Sequence, residues 1–118
     1  MDLATAQRVF SELATLAAAH PNEDALRLHQ AKAAVILINH LAPVDLAAAQ
    51  RVFSELAALA ATYLDDAALE EPLMRAVASI IRACIERDPQ FAQQIDEKYR
   101  QRFVDWDAAN DQRGASCG

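Results

Sequence analysis

Apolar residues recur three and four positions apart from the start of the chain: Leu3, Ala6, Phe10, Leu13 and Ala17, with Val9 and Leu16 beside them. That spacing gathers them on one side of a helix over residues 2–20, and Asp2 is placed to cap it by accepting from the first free backbone amides. The pattern returns from Asp45 through Leu46, Ala49, Phe53, Leu56 and Ala60, and predicts a helix over 45–63. Between the two, Pro21 ends the first helix, and Asn22 or Asp24 opens another over 23–41. After Lys32 this second helix is apolar on nearly every side (Ala33, Ala34, Val35, Ile36, Leu37, Ile38), as an enclosed element is, and Pro43 closes it. A fourth helix is predicted over 67–87, with Pro72 either kinking it or marking where it starts in earnest. Asp88-Pro89, a cap followed by proline at the first helical position, opens a last helix over 89–108. There Phe91, Ile95, Tyr99, Phe103 and Trp106 form one stripe against a polar remainder, the pattern of a terminal helix that closes a stack.

Residues 2–20 and 45–63 are near copies, identical at 15 of 19 positions with a spacing of 43. At the same spacing Lys32 corresponds to Arg75, Ala33 to Ala76, Leu37 to Ile80 and Ile38 to Ile81, so the period covers a helix pair. A fixed period of this length marks a chain that stacks one supersecondary unit. The predicted fold is therefore all-α, an antiparallel helical-hairpin repeat array of five helices. It forms one domain over 2–108, with units at about 2–44 and 45–88 and a capping helix at about 89–108. The tail, 109–118, has no periodic apolar residue and reads as disordered.

Composition narrows the function classes. The two glycines both lie in the tail, which excludes a glycine-rich phosphate loop. A formal charge of −6 and a pI near 4.9 are the reverse of the basic footprint that phosphate neutralisation needs, so neither nucleic acid nor an anionic membrane is an expected partner. The longest nearly uncharged run, 33–44, is too short to span a bilayer. Met1-Asp2-Leu3 lacks the basic start and apolar core of a signal peptide, which points to a cytoplasmic protein. Cys84 falls in an apolar helical stretch and Cys117 in the tail; they read as a buried small hydrophobe and an incidental thiol.

The rows Ala6, Phe10, Leu13 and Ala49, Phe53, Leu56 place a small residue, an aromatic and a close-packing residue at the offsets of the second helix of a tetratricopeptide repeat. Over residues 2–87 the chain resembles a long bacterial variant of that family, with a 43-residue unit. Where the family carries an aromatic and glycines in its first helix and turn, this chain has Ala33, Leu37 and Val44, and later Ala76, Ile80 and Arg87. These departures leave HEAT-like stacking, whose repeats are also this long, open as the alternative. The resemblance implies a protein-interaction scaffold. Its register implies a concave groove lined by Ala31, Ala34, Ile38, Leu41 and Ala42, then Met74, Val77, Ile81, Cys84 and Ile85. That lining lacks the lysine and asparagine clamp with which some members hold a peptide's terminal carboxylate, so this activity is not implied.

No catalytic constellation emerges. His20, His29 and His40 cannot share a helical face in the manner of a metal site. Asp65-Asp66 and Glu70-Glu71 flank a helix start, where capping accounts for them. Ser11 and Ser54 have no histidine or cysteine at a fixed offset. The expectation is a non-catalytic protein-interaction module without cofactor or metal, its surface formed by Phe10, Leu13, Leu16 and Ala17 on the first helix together with Ala34, Ile38, Leu41, Met74, Val77 and Ile81 on the inner ones. By register the first helix is the second member of a pair whose first member is absent. Its apolar side then calls for a partner, a second copy in a two-fold homodimer or a helix of another protein. Three further readings stay open: a purely structural homodimer, a binder of a lipid-like molecule between the second, fourth and fifth helices, and a designed chain with no natural partner, which the near identity of the copies permits.

Overall fold

Three aspartates one period apart begin three helices. Asp2 accepts from the Thr5 amide (2.8 Å), Asp45 from the Ala48 amide (3.1 Å) and Asp88 from the Phe91 amide (3.3 Å). Each satisfies one of the amides that a helix start leaves free. They open α1 (Leu3–Ala19), α3 (Leu46–Thr62) and α5 (Pro89–Cys117) in the computed structural model, which describes the backbone of residues 2–117 and the side chains of 2–110. Between them lie α2 (Asp24–Leu41) and α4 (Glu70–Cys84), the latter preceded by a short 3₁₀ turn, Ala67–Leu69, that Asp66 caps. Among the described residues there is no strand, and the five helices form an antiparallel array.

Pro72 does not kink α4. It stands in the first turn, where its missing N–H removes no helical bond. The last helix departs from expectation: α5 continues past Ala108 to Cys117, through residues assigned from the sequence to a disordered tail. Gly118 lies outside the described residues.

The packing follows the period. α2 lies against α1, α3 and α4, while α4 lies against α2, α3 and α5. One core runs through all five helices. Ile38, Phe53, Leu56, Leu69, Leu73, Met74 and Ile80 are among its largest enclosed side chains, and Ile95 and Tyr99 of α5 are buried with them. Phe53 meets the edges of Phe91 and Tyr99, with ring centroids 6.5 and 6.1 Å away, so the aromatic stripe of α5 packs against α3. Arg102 of α5 grips Glu70 at the start of α4 through Nε and Nη2, both at 2.9 Å.

α5 is also a third, diverged copy of the repeated helix. Asp88, Ala92, Gln93 and Ile95 fall where α3 has Asp45, Ala49, Gln50 and Val52. At the place of Phe10 and Phe53, however, it carries Asp96, which pairs with Arg100. At that register α5 presents a charge where the other two copies bury an aromatic.

Candidate interaction surfaces

The ten residues expected to form an interaction surface are mostly interior. Phe10, Ala17, Ala34, Ile38, Leu41, Met74 and Val77 are buried, Leu13 and Ile81 are half-buried, and only Leu16 is exposed. The seven buried residues are corrected to core, because a side chain closed off by its own neighbours has no area to offer a partner. The physical reason lies in α2. Its stripe Arg27, Ala31, Ala34, Ile38, Leu41, at three-and-four spacing, is the side pressed into the array, so the groove implied by the family register is filled by the protein itself.

The open groove lies one helical face away. Leu28, Lys32, Val35 and Ile36 of α2 form one wall, and Glu70, Glu71, Pro72 and Arg75 of α4 the other, with Ala67 and Ala68 at one end and Trp106 of α5 over them. Its volume is about 620 Å³. The floor is apolar, and Ile36 is 43% exposed, which leaves it open to solvent. Charges ring it. Arg75 reaches back to Glu71 (Nη2 to Oε1, 3.0 Å) and lies 5.9 Å from the centre of the Trp106 ring, while Lys32 is in no ion pair among the described residues. Trp106 was legible as part of the closing stripe but not as a groove residue. The available signal was the positive charge kept at one register, Lys32 and Arg75, one period apart on α2 and α4.

A second hollow, of about 460 Å³, lies beside the turn that joins α1 to α2 and the turn that follows α3. Arg27 fills its inner side. The guanidinium donates to the Pro21 carbonyl (2.7 Å), pairs with Asp24, approaches Asp66 Oδ2 at 3.4 Å and lies 4.0 Å over the Tyr63 ring. Arg27 Nε and Asp66 Oδ2 make no hydrogen bond and are closed off from solvent. The cluster is therefore a clamp between the turns of successive units rather than a cup for a ligand.

A smaller hollow of about 320 Å³ between α4 and α5 contains Val77 and Ile81 beside Phe103 and Val104. Cys84 is buried against Gln50, whose amide nitrogen is 3.5 Å from the sulfur and 2.9 Å from Asp88 Oδ2, and burial pushes its thiol pKa up. Such a thiol is a poor nucleophile. Among the described residues no three of His, Cys, Asp and Glu converge as metal ligands, and no helix is long and apolar enough to cross a membrane. Compared with known protein families, curated proteins and solved structures, the chain matches none.

Proposed function

We propose that this chain is a non-catalytic protein-interaction module that holds a peptide segment of another protein in the groove between α2, α4 and α5. The observation that carries this reading is the groove itself: an apolar floor of Leu28, Val35 and Ile36 with a half-buried tryptophan at its wall and, at its rim, the ammonium of Lys32, which is in no ion pair among the described residues. Tryptophan in a partly desolvated pocket is a recurrent anchor of binding energy, and an unpaired cation beside it selects for an acidic neighbour. The fitting segment carries one aliphatic or aromatic side chain next to an aspartate or glutamate. A lipid-like ligand between these helices is disfavoured by the four charged residues around an open groove, which an apolar molecule would desolvate without return.

The test uses the chain's single tryptophan. Peptides selected from a random library on the full chain are expected to share an apolar anchor beside an acid, to shift Trp106 emission, and to lose binding on Lys32→Glu or Trp106→Ala. Selected peptides that bind both variants as tightly as the parent would refute the groove as the site.

A further inference from the structure

Positions one period apart serve as internal controls. Because α1 and α3 are nearly identical in sequence, a difference in burial between them reports a difference in neighbours. Ala48, Val52 and Leu56 are buried and Leu59 is half-buried; their counterparts Thr5, Val9 and Leu13 are only half-buried, and Leu16 is 47% exposed. These positions form one stripe along the helix. α3 packs against both α2 and α4, α1 against α2, and α4 stands to α3 as α2 stands to α1. The neighbour that α1 lacks is therefore a counterpart of α2.

α2 shows the same deficit on the same side. Leu69, Pro72 and Leu73 are buried around the start of α4, whereas Leu26 and Gln30 are half-buried and His29 is exposed. In the second unit α2 fills the cleft between α3 and α4; in the first, no described element covers the matching cleft between α1 and α2. The two ends of the array thus differ. Asp96 puts a carboxylate on α5 where α1 and α3 have a phenylalanine, while Val9, Leu13 and Leu16 leave the α1 end apolar.

We infer that the cleft between α1 and α2 is a docking seat for a helix supplied by another protein, with the chemistry of the buried side of α2 itself. The structure of the second unit specifies that chemistry. The side of α2 laid into the array is Arg27, Ala31, Ala34, Ile38, Leu41: small residues that allow close approach, aliphatic ones that fill, and an arginine in the first turn. Arg27 is received there by Tyr63 and Asp66. One period earlier those places hold His20 and Glu23, both exposed, and Glu23 is in no ion pair among the described residues. The carboxylate that meets the arginine is kept at its register. The docked helix runs antiparallel to α1 with its arginine at Glu23, a helix-in-groove mode of recognition. None of the residues named for this seat lines the Trp106 groove, and the seat does not depend on that groove.

The probe is a labelled synthetic peptide with the sequence of Asp24–Leu41, titrated into the full chain and read by fluorescence anisotropy. Saturable binding in the micromolar range is expected. The exposed substitution Leu16→Asp should weaken it about tenfold or more, the worth of one buried leucine, with the far-ultraviolet circular dichroism unchanged. Glu23→Lys should weaken the parent peptide and restore a peptide carrying Arg27→Glu. Three results overturn the proposal: no saturable binding, binding that survives Leu16→Asp but is lost on Lys32→Glu, and a dimer in sedimentation that Leu16→Asp dissociates, which would assign the seat to a second copy.

Discussion

Truncating the two equivalent phenylalanines weighs the closed end of the array against the open one. Phe53 is 2% exposed and meets two aromatic edges, Phe91 and Tyr99. Phe10, at the same place in the first copy, is 8% exposed, and the residues one period before Phe91 and Tyr99 are Ala48 and Leu56. Removing a buried phenylalanine side chain costs roughly 3–5 kcal/mol, set by how far the site can collapse. Each aromatic pair adds about 0.5–1.5 kcal/mol beyond the buried area. Phe53→Ala loses two such pairs at a site that is 2% exposed, so it belongs near the top of the range, about 5 kcal/mol. Phe10→Ala loses no aromatic pair and lies next to the half-exposed Val9 and Leu13, which can settle into the space; about 3 kcal/mol is expected. Urea unfolding of both variants, analysed with a common slope, measures the difference. Equal losses, or a larger loss at Phe10, would refute the claim that the first helix stands at the less covered end.

Arg27→Ala should cost about 3–5 kcal/mol, because it strands Asp66, whose side chain is 13% exposed, whereas Asp24→Asn, at a 79% exposed partner of the same arginine, should cost under about 1 kcal/mol; thermal unfolding compares them. Asp45→Ala should cost about 1 kcal/mol through the lost cap of α3. The Thr5 amide bond holds the Asp2 carboxyl below its usual range, so its contribution is complete above that range and is lost as pH falls through the lowered value; Asp2→Asn should flatten this acid limb in an NMR titration of the Thr5 amide. In a Cys117→Ser chain, Cys84 should react with a thiol reagent only as fast as the core opens, and a rate independent of added urea would show it to be accessible in the folded state.

The repeat made most of the fold legible. Two near copies, starting at Asp2 and Asp45, and the Asp88-Pro89 start of the last helix made the helix order readable, and the stripe from Phe91 to Trp106 marked the side of α5 that packs inward. The continuation of α5 to Cys117 was not legible, because its Ala, Gln and Arg residues favour a helix by propensity without the apolar period that announces one. The groove was missed for a related reason. α2 is apolar nearly all round, so periodicity cannot say which face is pressed inward; the family register chose the stripe through Ile38, while the face left open runs through Leu28, Lys32 and Val35. Burial of Arg27 was likewise invisible, since its partners Asp66 and Tyr63 are brought to it from the next unit only by stacking.

The central claim, that partners are held against Trp106 between α2 and α4, is tested most directly by the indole N–H resonance of the only tryptophan in a nitrogen-15 correlation spectrum of the full chain. On titration with a library-selected peptide, that resonance and the amides of Leu28, Lys32, Val35 and Arg75 should move together to saturation, with no such change in the Lys32→Glu chain. A bound peptide that leaves the indole resonance where it was would contradict the account.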